Sequence, residues 1–599
     1  MSKTLILAEK PSVARDIASV LGRPARKEGF MEVEKYIVTW ALGHLAELAE
    51  PEDYDPRLKK WSLDSLPIIP EGFLIKPNNK TIAHFKLLKR LLNRKDVKMV
   101  INACDAAREG ELIFRYIYYL ARCSKPFKRL WLSENTPAAV QKAFDNLLEG
   151  SVMDALAAAA MARSQADWLV GLNATRAFTK VHKCFYSVGR VQTPALALLV
   201  NREKEIRAFI PQVYYELWGI FVAPDGKTYR GRWFQGDIKT FVNAGQAESI
   251  KQKVVHKAGN VISAENNTLV HPAPALYNLN DLQRDANTRY GLPASGTLEL
   301  AQSLYEKKKL LTYPRTESRH LTQMMVETLS ERLEALAAHR DYQLIINSDS
   351  FGEITAEAVD DHKVSDHHAI IPTAACPDFT KLSDGEQLIY DLVARRFLAN
   401  FFPPAVDEKM IVITAVEEHT FISTAITEKE PGWRRVYAGE AKPADDEEKL
   451  PELHPGAEVQ MSDAQVIEKK TKPPSRYTDS SLLAVLEDIG RLIPDGEMKK
   501  TIKQAGGLGT PATRAAIIER LIQVGYVRRE GKKLIPTEKG ESLIDVAPDE
   551  IKSPELTARW EGCLKEIEQG KAAPDRFISD IKALVVKIIE EATAGSLRA

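Results

Sequence analysis

Residues 214–270 and 406–467 carry short alternating strand patterns, and the largely helical residues 279–400 lie between them. The run Tyr229-Arg230-Gly231-Arg232-Trp233 is typical, with the period of two that marks strands buried on one face. Two β-rich segments around a helical insert point to one β domain interrupted by another, and the insert could serve as an arm. The 599 residues are long enough for several domains around this unit.

The chain before it reads differently. Residues 4–8 form a short apolar strand pattern, followed by a helix over 11–21 with Pro11 in its first turn and Gly22 at its end. Residues 97–103 repeat the apolar strand, followed by a helix from about 110 to 120. Such alternation predicts an α/β domain over the first 150 residues, whose chemistry should collect past the carboxyl ends of the strands. Glu9 and Asp105 both fall there. Residues 153–182 and 196–206 read as helix, and so does the chain from 480 onward, with a small β wing at 526–536. Residues 442–453 read as an exposed polar loop, and 493–504 as a loop that could contribute to decatenation.

Composition narrows the function classes. Lys+Arg and Asp+Glu both number 82, so any phosphate-binding groove must come from local segregation of charge. The five cysteines are scattered, which excludes a C-x-x-C redox motif and a zinc ribbon. Sparse cysteine with no secretory leader and no long apolar run fits a cytoplasmic protein without a membrane span. No G-x-x-x-x-G-K-[ST] loop occurs, which disfavours ATP-driven machines.

Several strings could carry chemistry. In LILAEKPSVA, Glu9 and Lys10 follow the first strand. An exposed Glu-Lys pair is ordinarily solvated, but INACDAAREGELI places Asp105, Glu109 and Glu111 after the neighbouring strand. Carboxylates this dense repel one another unless a cation neutralises them, and oxygen-only ligands suit Mg²⁺. The bland alternative is an acidic helix N-terminus favoured by the helix dipole. In KKLLTYPRTESRHL, Tyr313 precedes Pro314 and Arg315. A phenol with a pKa near 10 needs help to act as a nucleophile, and a guanidinium can stabilise phenolate and grip phosphate. Elsewhere stand VSDHHAIIPT with His367, MARSQADWLVGLNATRAFT with Arg163 and Asp167 four apart, YSVGRVQTPAL with Ser187, Gly189, Arg190, Gln192 and Thr193, and GGLGTPATRAAIIERLIQVGYV with Thr513 and Arg514.

In collinear order these strings resemble the type IA DNA topoisomerases, and Trp61 with LPIIPEGF points to the topoisomerase III branch. The strand-end Glu9 and the Asp105 string resemble the Toprim fold, with one departure: the second Asp of the D-x-D pattern is Ala107. The resemblance implies a multidomain α/β and α+β protein with a toroidal type IA core: a Toprim domain over 1–150, a helical, winged-helix-like single-stranded DNA-binding domain over 151–210 and 473–599, a β-rich arch over 211–278 and 401–472, and a helical domain over 279–400 carrying the nucleophile. It also implies ATP-independent cleavage of one strand through a 5′-phosphotyrosine, strand passage and religation, relaxing negative supercoils or decatenating DNA.

The implied roles are Tyr313 as nucleophile, Arg315 as its phosphate-holding partner, Glu9 as proton shuttle, Lys10 and His367 as stabilisers of the scissile phosphate, and Glu9, Asp105 and Glu109 as Mg²⁺ ligands. Arg163, Asp167, Ser187, Arg190, Gln192, Thr193, Thr312, Thr513 and Arg514 would contact DNA. The implied partners are single-stranded DNA and negatively supercoiled or catenated duplex, with a helicase admitted beside a monomeric enzyme. The alternatives are a Toprim nuclease or primase, which needs no Tyr-Pro-Arg segment, and a catalytically weakened DNA-binding paralogue, which Ala107 would favour.

Overall fold

A computed structural model describes residues 2–132, 137–364, 367–438 and 449–595. The first α/β unit is a seven-stranded sheet. Its strands are β1 (Lys3–Ala8), β2 (Ala25–Lys27), β3 (Phe30–Val33), β4 (Tyr36–Trp40), β5 (Val97–Ala103), β6 (Phe127–Arg129) and β7 (Leu148–Glu149), in the order β2-β3-β4-β1-β5-β6-β7. Leu5, Ile6, Leu7 and Ala8 are all fully buried, as expected of a central strand covered on both faces. β1 runs parallel to β5 with Ala8 opposite Ala103, so the residues following the two strands emerge side by side. Helix α1 (Pro11–Leu21) follows β1, and α2 (Arg108–Leu120) follows β5.

Next come α3 (Asp154–His182) and α4 (Gln192–Ala208). The expected interrupted β domain is a closed barrel of β8 (Val213–Val222), β9 (Thr228–Phe234), β10 (Ala258–His271), β11 (Ala405–Val416), β12 (His419–Glu430) and β13 (Glu458–Lys470). It closes because β13 pairs with β8 across the whole insert. Closure removes the open edges that a half-set of strands would leave. Leu217, Phe221, Phe421 and Met461 fill its interior. Leu453, read from sequence as part of an exposed loop, is buried in this core because the barrel offers an apolar seat beside Val459; residues 442–448 of that loop lie outside the described residues.

The insert contains α5 (Leu279–Tyr290), α6 (Asp384–Ala399) and the irregular segment with Tyr313. Two linkers, residues 272–278 and 400–404, join it to the barrel. They are tied to each other and to the segment after β12: Asn400 donates to the Pro274 carbonyl at 3.1 Å, and the Trp433 N–H donates to the Pro403 carbonyl at 3.1 Å, while the Trp433 indole donates to the His271 carbonyl at the end of β10 at 3.0 Å. Gly432 sits at φ +48° with its Cα against the Pro403 and Pro404 carbonyls, where a Cβ would collide.

After the barrel the chain returns to α3 and α4 through α7 (Asp479–Glu487), α8 (Pro511–Gln523), a hairpin of β14 (Val527–Glu530) and β15 (Lys533–Pro536), α9 (Pro554–Glu568) and α10 (Pro574–Gly595). The hairpin is the wing read from sequence. Residues 493–504 are mostly helical, with Asp495 capping Gly496–Gln504 through the Met498 N–H at 2.7 Å, and not the loop expected from their polarity. One apolar core joins α3 and α4 to this C-terminal part, while the insert has a core of its own. No described helix is long and apolar enough to cross a membrane.

Candidate active site

The parallel register of β1 and β5 delivers Glu9, Lys10 and Asp105 to one place. The Asp105 N–H donates to Glu9 Oε2 at 3.3 Å, and Lys10 Nζ lies 3.7 Å from Glu9 Oε1 and 3.2 Å from Asp105 Oδ2. Gly110 is required here, because a Cβ on it would drive into the Asp105 backbone and push α2 off the strand end.

From the insert comes Tyr313. Its segment is zipped to the one bearing His367: the Thr312 N–H donates to the Ile371 carbonyl at 3.0 Å, and the Thr316 hydroxyl to the His367 carbonyl at 2.8 Å. The Tyr313 and His367 rings lie 4.3 Å apart, and Tyr305 meets Tyr313 edge-on at 5.4 Å. Lys10 Nζ reaches across the seam and donates to the Tyr313 phenol oxygen at 2.8 Å. Residues more than 300 positions apart in the chain thus share one hydrogen bond. Lys10, Asp105, Tyr305, Tyr313 and His367 line a cavity of about 20 Å³, room for about one water molecule. In this state the seam has no room for a nucleic-acid strand.

The electrostatics follow from crowding in a partly buried seam. Burial raises the Glu9 pKa above the ordinary carboxylate range, and the Asp105 charge adds to it against the pull of Lys10. Burial disfavours the Lys10 charge, but Asp105, Tyr313 and Glu9 outweigh it and hold the ammonium protonated well above its usual range. Burial raises the Tyr313 phenol, with Lys10 opposing. Burial pushes His367 down to about 4, so near pH 7 it is a neutral imidazole and not the group titrating near 6.5 expected from sequence.

Not every expected ligand joins. Glu109 turns to His44, 2.5 Å from its Nε2, and position 107 is alanine. Among the described residues no three His, Cys, Asp or Glu side chains gather as a metal cage. Glu9 and Asp105 still fit a divalent cation: they are hard oxygen donors, and burial first and the Asp105 charge second raise the Glu9 pKa, a cost that a bound cation would relieve. Glu111, grouped with this cluster in the sequence, is buried below it and accepts from Asn102 at 2.8 Å and Arg115 at 2.7 Å.

Sequence reasoning missed Arg129. Fully buried, it donates to the Asn102, Cys104 and Asp105 carbonyls at 3.2, 2.7 and 2.7 Å, fixing the strand end beneath the acids. Its surroundings, Phe127-Lys128-Arg129-Leu130-Trp131-Leu132, show only a Lys-Arg pair among apolar residues, which does not say that one of the two is buried.

The expected DNA contacts divide. Arg163 and Asp167 form the i,i+4 pair at 3.9 Å, both partly exposed. Ser187 and Gln192 are half-buried nearby. Arg190 is buried, bonded to Asp167 at 3.0 Å, 3.5 Å from Glu561 and stacked on Trp560, so in this state it presents no donor to solvent. Thr193 is buried and accepts from the Gly189 N–H. Thr312 serves the zipper described above. Thr513 pairs with Thr510 in a capping box, and Arg514 is buried on the Gly506 and Leu508 carbonyls. For Arg190, Thr193 and Arg514 the sequence expectation of direct phosphate donors gives way to internal roles in this state, because buried donors must be satisfied inside the protein, and partly buried Thr312 is engaged by the zipper. Arg315 is exposed and donates to Gln302 at 3.2 Å.

Residues 151–579 match the DNA topoisomerase family, and residues 4–135 match the Toprim domain. DNA topoisomerase 3 of Bacillus cereus is 40% identical over 605 aligned residues, covering 99% of this chain and 82% of that one. The Bacillus licheniformis DNA topoisomerase 3 is 41% identical with the same coverage, and the Shouchella clausii one is 41% identical over 100% of this chain and 82% of its own length. Among solved structures, full-length topoisomerase I of Thermotoga maritima shares the fold at a TM-score of 0.71 and 22% identity, over 98% of this chain and 90% of that chain. Fold, seam and sequence agree, and the chain belongs to the type IA DNA topoisomerases, ATP-independent isomerases, on their topoisomerase III branch.

Proposed function

We propose that Tyr313 is the nucleophile of a transesterification on single-stranded DNA. The carrying observation is the 2.8 Å bond from Lys10 to the phenol oxygen, beside Glu9 and Asp105. The phenol oxygen bonds to phosphorus and the P–O3′ bond breaks, leaving a 5′-phosphotyrosine and a free 3′-hydroxyl. One proton leaves the phenol and one arrives at the 3′-oxygen, so the step balances. Lys10, held protonated, stabilises phenolate and then phosphate charge. Glu9, with its raised pKa, is suited to deliver the proton to the 3′-oxygen and to recover it on religation. Neutral His367, packed on the Tyr313 ring, is placed to donate to a phosphate oxygen, and Arg315 swings from Gln302 to grip the phosphate. The covalent link conserves the bond energy, so resealing needs no ATP.

The Toprim unit supports divalent-metal binding, and the specific reading is Mg²⁺ on Glu9 and Asp105, with Glu109 joining only if it leaves His44. Bound there, the cation would supply charge stabilisation for the cut end. We assign single-stranded DNA to a surface near Arg163, Asp167, Ser187, Gln192 and Thr513, with Arg190 and Arg514 as its scaffold, and supercoiled or catenated duplex as the global substrate. The division into units at 1–150, 151–210 with 473–599, 211–278 with 401–472, and 279–400 is supported by the separate apolar cores. A monomeric cytoplasmic enzyme, with a helicase as partner, completes the reading.

Tyr313→Phe should bind labelled single-stranded DNA as tightly as the parent and form no covalent adduct on a denaturing gel. Adduct or supercoil relaxation at the parent's level by that variant would overturn the assignment.

A further inference from the structure

The closed cavity raises the question of what holds the insert shut. Its barrel junction is tied through Asn400, Trp433 and Gly432 as described. Its contact with the C-terminal helices is of another kind. Among the described residues, the C-terminal apolar core takes one buried side chain from the insert, Ala294, and the insert's own core takes none in return. The contact is therefore polar. Arg319, on the same irregular segment as Tyr313, bonds Asp281 at 2.5 and 3.1 Å within the insert and reaches Glu487 at the end of α7 at 3.0 Å. Asn280 donates to the other Glu487 oxygen at 2.8 Å. Farther along, the Ala294 N–H donates to Asp479 at 2.9 Å, the Ser295 hydroxyl to Glu519 at 2.8 Å, and Lys532 to the Thr288 carbonyl at 2.7 Å.

We propose that Arg319, Glu487 and Asn280 form a polar latch that holds the tyrosine-bearing insert on the C-terminal helices, and that its strength sets how often the DNA gate opens. The inference rests on the reading of Tyr313 as nucleophile and names what regulates the motion that reading requires. The latch suits repeated opening. An apolar seam would cost dearly to wet on each opening, whereas parted charges regain water. Arg319 and Glu487 remain 35% and 28% exposed, so salt reaches them. Two further charged groups face Glu487 from outside the latch: the Arg514 guanidinium, and Glu317, which lies against the Gly506 turn. The latch groups are positioning residues: they touch neither substrate nor the reacting atoms.

Glu487→Gln is the sharpest cut, because it leaves the Arg319–Asp281 pair intact and retains an oxygen for Asn280. Arg319→Gln is its partner, and Arg319→Lys keeps the charge without the fork. With single-stranded DNA held under tension and cut by the full chain, the fraction of time the gate stays open is read directly. We expect both glutamine variants to raise it about threefold to tenfold at low salt, the double variant to add little more, and the lysine variant to fall between. Raising salt should lengthen open times in the parent and much less in Glu487→Gln. Covalent adduct, read separately on a denaturing gel, should form in all of them. Open fractions and salt responses within twofold of the parent for both glutamine variants, with adduct intact, would overturn the latch alone. Absence of adduct in the parent would overturn the reading of Tyr313, and the latch with it.

Discussion

At the scale of single residues, the site is a case of charges held where water would not leave them. Glu9 has a raised pKa, so the folded chain binds its proton more tightly than the unfolded chain does. Its contribution therefore favours folding at acid pH and turns unfavourable as pH rises through the ordinary carboxylate range toward the raised value. Glu9→Gln should accordingly raise the melting temperature at pH 7 by about 1–4 °C, with the gain shrinking toward pH 4, while adduct formation falls. A scan showing destabilisation at pH 7 would contradict this electrostatic account. Position 107 offers a second test. Ala107→Asp restores a carboxylate beside Asp105, and Mg²⁺ binding by calorimetry should tighten about tenfold, with religation needing less metal. Glu9, Lys10, Asp105 and Tyr313, which the structure brings together, were singled out by the collinear family resemblance, since a strand-end Glu-Lys pair or a lone Tyr-Pro-Arg is ordinarily bland. Arg129 and His44 were not, since an arginine inside a strand and an isolated histidine carry no local pattern. Arg190 and Arg514 misled for the converse reason: donor-rich strings do not say whether their donors face solvent or the protein's own carbonyls and carboxylates.

At the scale of elements, sequence periodicity served well where one face or both faces were buried. The strand predicted at 97–103 and the helix at 11–21 match β5 and α1 residue for residue. The barrel's interruption was legible, but its closure through β13 on β8 was not, because pairing across the insert leaves no local trace. The junction between α4 and the chain leaving the barrel is fixed by a partly buried ion pair: Arg476 donates twice to Glu203, at 2.8 Å each. These bonds hold the Glu203 carboxyl below its usual pKa. The stabilisation is thus present above the ordinary carboxylate pKa and lost as pH falls through the lowered folded value. Glu203→Gln should cost about 1–3 kcal/mol in denaturant unfolding at pH 7, and the gap to the parent should close in acid. An equal cost at both pH values would point to packing and not charge.

At the scale of the whole molecule, the α/β unit is bound to the C-terminal helices by charge. Arg108 bonds Glu561 at 2.9 Å and Glu568 at 2.7 Å, and Glu561 also meets Arg190 at 3.5 Å. Removing that shared carboxylate leaves buried Arg190 with Asp167 as its remaining acidic partner. Glu561→Gln should destabilise by about 3 kcal/mol, with early release of residues 4–132 seen as hydrogen exchange ahead of the C-terminal core. Exchange that stays uniform across the chain would count against this tie.

The insert leaves the barrel by one linker and returns by another, and Asn400 stitches the two together. A body hung from a single thread can spin, whereas one hung from two fastened cords can only swing. In the proposed reaction Tyr313 would therefore travel along a narrow arc and return to the cut end in the same orientation, so the severed backbone could be rejoined without a search.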